Sequence, residues 1–230
     1  MSPGLRKLSK FFRALKVIIQ QPASLNLLLD QEDENKHTVV GRYGLPDGLP
    51  EIPFFSLVDS GTVVEPYAFL DGGSLPTDLA LLRALGQRGC KTYFEIGTWR
   101  GESVRNMADV VPDCTSLHLG AQQMRARQWS EEYIAQHEYF SAGHPGIRQL
   151  YGDSRIFDFS EFKQKQDLVF VDGDHHFDSV VADTRTAFEL IRDEKSMIVW
   201  HDYGHSPEHI RWNVLHGILA GTPKEKRRHL

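Results

Sequence analysis

The chain is poor in cysteine, with Cys90 and Cys114 as the two in 230 residues. They lack the short spacing of a metal clamp, and a single bridge at most would join them, so neither a zinc-stapled module nor a disulfide scaffold fits. The expected state is two reduced thiols in a cytoplasmic protein. Long apolar runs are missing as well. Nothing approaches the roughly 18 residues that cross a bilayer, and Lys10, Arg13 and Lys16 interrupt the apolar core that a signal peptide would need. Excess positive charge is also absent. A net charge of −5 gives no general pull toward nucleic acid, so no nucleic-acid partner is expected. There is no internal repeat and no low-complexity tract. The remaining composition is that of a globular chain, long enough for one core with an appendage.

Residues 1–74 read as an N-terminal extension and 75–230 as the main domain. Within 5–20, Leu5, Leu8, Phe12, Leu15 and Ile19 recur at three- and four-residue intervals, with Arg6, Lys7, Lys10, Arg13 and Lys16 between them. This spacing predicts a basic amphipathic helix. Such a helix packs on its own domain or on a second subunit, and contact with an anionic membrane surface is the less favoured alternative. Residues 30–66 are polar and then rich in Gly and Pro, which predicts mostly loop. Tyr67, Phe69 and Asp71-Gly72-Gly73 read as packing residues or as a segment reaching over a site. Thr77 is the expected N-cap of a helix that ends at Gly86.

From there strands alternate with helices. Strands are predicted at 92–96, 115–119, 147–151, 167–171 and 197–200, and helices at 102–110, 124–139, 177–191 and 207–219. That alternation predicts an α/β fold with a Rossmann-like, doubly wound, mostly parallel sheet covered by helices on both faces. Ligands in such sheets gather at the carboxyl ends of the strands, and those ends hold the chemistry.

The first strand ends in Glu95-x-Gly97-x-x-x-Gly101, a glycine turn that leads into a helix and leaves backbone N–H groups facing a ligand. The spacing is not the G-x-G-x-x-G of nicotinamide dinucleotide enzymes. The third strand ends in Gly152-Asp153-Ser154, an acid and a hydroxyl able to serve an exocyclic amine and a ring nitrogen, or simply a turn with its cap. The fourth ends in Asp172-Gly173-Asp174-His175-His176, and the fifth in His201-Asp202-Tyr203. Carboxylates are costly to bury without partners. Asp172, Asp202 and one or both of His201 and Asp174 therefore read as a divalent-cation site. Carboxylates favour Mg²⁺, Mn²⁺ or Ca²⁺, while an imidazole shifts the choice toward Mn²⁺, Fe²⁺ or Zn²⁺. The competing reading has the aspartates capping helices and the histidines bonded to backbone, and His176 and His205 read as ordinary surface residues.

Together, the run from Glu95 to Gly101, Gly152-Asp153-Ser154, Asp172-Gly-Asp-His175 and His201-Asp-Tyr203 resembles the small-molecule O-methyltransferases of the class I S-adenosylmethionine (SAM)-dependent superfamily. The metal-dependent sugar and natural-product branch is the nearest. The resemblance spans roughly residues 75–203. It implies that Glu95, Gly97, Thr98 and Gly101 cradle the methionine end of SAM, and that Asp153 and Ser154 lie by the adenine. Asp172, His201 and Asp202 would hold the metal, Mg²⁺ or Mn²⁺. His175 or Asp174 would take the proton from a hydroxyl acceptor, a sugar or a phenol. Two departures stand out. The family's acid for the ribose hydroxyls is replaced by His118, and the last two strands of the usual seven are missing. A truncated chain or a homo-oligomer that completes the sheet edge would account for the second. Two other functions stay open on these residues: an Fe²⁺-dependent hydroxylase, or a catalytically silent scaffold on the same fold.

Overall fold

Five short strands form one sheet. They are β1 (Thr92–Ile96), β2 (Asp113–His118), β3 (Ile147–Tyr151), β4 (Leu168–Val171) and β5 (Met197–Trp200). All pairings are parallel, in the order β3-β2-β1-β4-β5. The computed structural model describes residues 3–20, 32–66, 74–204, 206 and 209–230. No further strand joins the sheet among the described residues. Tyr67, Phe69, Asp71 to Gly73, His205 and Pro207 lie outside them.

Both faces of the sheet are covered, and the side-chain alternation of each strand shows it. Tyr93, Leu168 and Phe170 join Leu82, Leu85, Val104 and Met107 on one face. Their neighbours Phe94, Val169 and Val171 join Phe159, Phe162, Ala187 and Leu190 on the other. A strand buried on both sides needs an apolar residue at nearly every position, as β4 has. The first face is covered by α3 (Pro76–Gly86) and α4 (Glu102–Met107), and the second by α7 (Phe177–Leu190). The chain opens with α1 (Pro3–Gln20) and α2 (Glu32–Thr38); α5 (Ala121–Ala126) and α6 (Glu131–Gln136) follow β2, and α8 (Trp212–Gly221) follows β5.

Several boundaries differ from the sequence expectation, each for a local reason. The helix expected over 124–139 is two helices. Gln128 takes a positive φ of 60° after α5, and the Ser130 side chain then caps α6 by accepting from the Tyr133 N–H at 3.2 Å. Thr77 is not the cap of α3. Leu75 holds that position, Pro76 starts the helix, and the Asp78 carboxylate accepts from the Leu75 N–H at 2.7 Å. The expected loop at 30–66 contains α2 and a wide helical turn at Val39–Tyr43, whose Val39 is fully buried against Leu215 and Leu219. The last helix starts at Trp212, after an antiparallel bridge that pairs Gly204 with Ile210.

α8 lies directly on α7. A Cβ at Gly217 would come 2.7 Å from the Val180 Cβ, and one at Gly221 would come 2.7 Å from the Thr184 Cβ, so two missing side chains let the helices touch. The same helix covers Val39, and the Tyr203 hydroxyl accepts from the Leu49 N–H at 2.8 Å. The chain that leaves β5 is thus clamped between α8 and the segment after α2. Gly217→Val should cost about 3 kcal/mol through forced separation of the helices. Urea unfolding should show it as a lowered midpoint with an unchanged slope.

Candidate active site

The strand order reverses between β1 and β4, because the chain runs outward from β1 to β2 and β3 on one side and from β4 to β5 on the other. Such a reversal opens a crevice at the carboxyl ends of the two inner strands. A cavity of about 630 Å³ occupies that crevice, and residues after all five strands line it. Of the residues singled out in the sequence, Gly97, Thr98, His118, Asp153 and Ser154 face it. So do Asp172, Asp174, His175, His201 and Asp202. Glu95 and Gly101 are not among its lining residues.

The glycine turn is held from below. Glu95 is fully buried and accepts from the Tyr93 hydroxyl at 2.6 Å and from Thr98 Oγ1 at 2.7 Å, while Thr98 Oγ1 also contacts Ser116 Oγ. Burial pushes the Glu95 carboxyl up to about 7, against the hydrogen bonds from Tyr93, Thr98 and Ser103 that favour its ionised form. Its place is therefore beneath the turn as a brace, not in the cradle itself. Gly97 has φ 95°, and a Cβ there would collide with the Asp172 carbonyl. Only glycine allows this conformation and this approach together.

The turn also carries a wall that sequence reading did not single out. The Trp99 and Arg100 carbonyls accept from the Glu138 and Phe140 N–H groups, both at 2.8 Å, which ties the segment after α6 to the glycine turn. Trp129 before α6, Tyr133 within it and His137 after it line the cavity with Trp99, whose ring stacks on Tyr133 at 5.4 Å. His118 lies 5.7 Å from the His137 ring and 3.1 Å from a Glu138 carboxylate oxygen. Burial holds both imidazoles below their usual range, His137 down to about 4, so both are neutral near pH 7. An acid does stand at the end of β2 in space. Glu138 supplies it from a distant part of the chain, behind His118. Asp153 is engaged by Arg127 at 2.7 Å and Arg155 at 2.8 Å, which holds it well below the usual carboxylate range.

Across the cavity the ends of β4 and β5 meet. His201 Nδ1 lies 3.1 Å from Asp172 Oδ1 and 3.2 Å from Asp202 Oδ2, and its Nε2 lies 3.3 Å from Asp78 Oδ2. Burial would lower the His201 pKa, but these carboxylates push it up to about 12. Neither Nδ1 contact has hydrogen-bond geometry. Asp202 takes a positive φ of 58°, which turns its carboxylate toward His175 Nδ1 at 3.0 Å and toward Arg211 Nη1 at 3.0 Å. Asp174 is spent differently. It accepts from the His176 backbone and ring and from the Ser179 hydroxyl, tying down the start of α7. His176 is engaged in that local bond on the surface.

Residues 94–203 match a family model described as a methyltransferase domain. A search of curated proteins found no match. Among solved structures, the chain is similar to the O-methyltransferase from Bacillus cereus in complex with SAH. Identity is 18%, the TM-score 0.45, and the match covers 66% of this chain and 70% of that one. The SAH-bound methyltransferase PaMTH1 from Podospora anserina gives 15% identity, coverage of 64% and 67%, and a TM-score of 0.44. The CcbJ methyltransferase from Streptomyces caelestis gives 16%, coverage of 57% and 54%, and 0.42. The chain spans about half the length of several solved structures that it matches.

Glu95 gives the site a pH signature. Below about pH 4.5 its carboxyl is protonated in both folded and unfolded chains. Between there and the folded value of about 7, the unfolded chain's carboxyl ionises while the buried one keeps its proton, so stability falls by about 3 kcal/mol and stays lower above it. Glu95→Gln should flatten that slope in denaturant titrations run across this window. Equal slopes in the two proteins would mean that Glu95 ionises normally.

Proposed function

We propose that the protein, whose residues 94–203 match a family model described as a methyltransferase domain, moves the methyl group of SAM to a hydroxyl of a small molecule, assisted by a divalent cation. A sugar or a phenolic metabolite is the acceptor class that suits this reading. The observation that carries it is the convergence of Asp172, His201 and Asp202 in the same cavity as the glycine turn. One ligand atom from each lies within 4.8 Å of the others.

SAM supplies a methyl group on a positively charged sulfur, which leaves as a neutral thioether. The Gly97 turn gives the cofactor an approach to bare backbone, and Asp172 and Glu102 line the same cavity, Glu102 paired with Arg100 at 2.7 Å. Neutral His118 and His137 and the indole of Trp129 offer a flat, uncharged wall suited to the nucleoside. Arg127 and Arg155 hold Asp153 in place, and Ser154 is hydrogen-bonded to the buried Asp183.

Two carboxylates and an imidazole suit Mg²⁺ or Mn²⁺. A cation held there would supply charge that favours the ionised form of the acceptor hydroxyl. The unsatisfied geometry at His201 Nδ1 fits such an occupant, which would take the ring in its neutral form. His175 takes the acceptor's proton. Its Nδ1–H faces Asp202, which leaves Nε2 as the accepting nitrogen on a ring that lines the cavity. Asn213 Nδ2 donates to the His175 carbonyl at 2.9 Å and fixes its backbone to α8. Asp174, occupied at the start of α7, is the weaker candidate for that role.

One observation favours a variant of the same reaction without metal. Arg211 already balances Asp202, and the His201 proton already sits among the carboxylates, so the His175–Asp202 pair has a complete set of counter-charges.

Calorimetric titration of SAM, with Mn²⁺ and then with chelator, tests these readings. Micromolar SAM affinity is expected in both. Methyl transfer that survives chelation selects the metal-free variant, and absence of SAM binding overturns the enzyme reading in favour of a scaffold. Asp172→Asn and Asp202→Asn should each lower Mn²⁺ affinity at least about ten-fold and leave SAM affinity within a few-fold. His175→Gln should lower kcat by about 10²–10⁴ with little change in KM, as read by release of S-adenosylhomocysteine.

A further inference from the structure

α1 differs from the rest of the molecule in charge and in cover. Its sequence holds Arg6, Lys7, Lys10, Arg13 and Lys16 and no acid, in a chain whose net charge is −5. The remainder of the chain is therefore more acidic than the whole. At helical spacing, Leu8, Phe11, Phe12, Leu15, Ile18 and Ile19 share one face, while Lys10, Arg13 and Lys16 share the other. A helix of this pattern normally lays its apolar face on the core. Here that face lies open: Phe11 is 61% exposed, Phe12 59% and Ile19 72%. Among the described residues no helix is long and apolar enough to cross a membrane, and α1 is too basic to do so.

We propose that α1 binds the surface of an anionic lipid bilayer. It lies in the plane of the interface, with Phe11, Phe12, Leu15 and Ile19 entering the boundary between headgroups and acyl chains. Lys10, Arg13 and Lys16 reach back toward the lipid phosphates. Charge complementarity selects this occupant over a second copy of the chain. A helix made to pair with another protein commonly mixes charge signs on its polar face, so that acids and bases three or four residues apart support each other. Every charge on the polar face of α1 is positive, which gives such pairs no acid and suits an anionic surface. The acidic remainder of the chain is repelled by the same surface. α1 would thus face the bilayer while the catalytic domain stands away from it.

Co-sedimentation of the full-length protein with vesicles tests the proposal. It should pellet with phosphatidylcholine vesicles that contain phosphatidylglycerol, much less with phosphatidylcholine alone, and less as salt is raised. Each basic residue at an anionic surface is worth about five-fold in affinity, so Lys10→Gln/Arg13→Gln/Lys16→Gln should weaken binding on the order of a hundred-fold. Phe11→Ser/Phe12→Ser/Ile19→Ser should abolish pelleting while its thermal unfolding midpoint stays that of the parent, which shows that the domain is intact. Three results would overturn the proposal. One is no preference for anionic vesicles, and another is equal binding by parent and serine variant. The third is a dimer in light scattering that the serine variant splits, with no vesicle binding by the parent.

Discussion

The arrangement of the site depends on one close approach, that of Gly97 to the Asp172 carbonyl. β1 and β4 are the two inner strands where the order of the sheet reverses, and Ile96 pairs with Val171 at their carboxyl ends. The Asp172 N–H then donates to the Ile96 carbonyl at 2.8 Å, so pairing continues into the loop that carries the acid. This brings the backbone after β1 against the backbone after β4. Any side chain at position 97 would have to displace one of the two inner strands. The cavity, the glycine turn and the carboxylates share a crevice because that contact is made.

The neighbouring charges are arranged as a balance. Asp172, Asp202 and Asp78 surround His201, and Arg211 meets Asp202 from the far side. Carboxylates this close together are costly unless a cation or a proton sits between them. The supports come from remote segments. Asp78 also accepts from the Leu75 N–H in the first turn of α3, Arg211 and Asn213 lie at the start of α8, and Tyr203 is fastened to Leu49. The covering helices therefore set the direction of the site's charges as well as the burial of the sheet.

Much of this was legible in the residues. Alternating apolar runs and helical patterns pointed to a parallel α/β sheet, and β1, β3 and β5 fall at the expected residues. Ten of the twelve proposed site residues line one cavity, because a parallel sheet delivers every strand end to the same edge. Glu95 was legible as an acid before a glycine turn, but its side chain direction was not. The pleat sends it to the face of Tyr93, where Thr98 closes over it. Glu138 and the aromatic wall were illegible for another reason. They reach the site through backbone bonds from 138 and 140 to the glycine turn, a pairing that no local pattern encodes.

The sequence by itself determined the class of fold, the edge at which chemistry gathers, and the types of group that meet there. Those properties follow from periodicity and from chain connectivity, which are local. The tertiary structure decided which groups touch. It set Asp174 on the start of α7 and Asp202 on His175, and it placed Glu138 where the last residue of β2 offers only an imidazole. Among the described residues it also left Phe11, Phe12 and Ile19 of α1 exposed. Partner choice, burial and charge state depend on contacts between segments distant in the chain, and those exist only once the helices have packed.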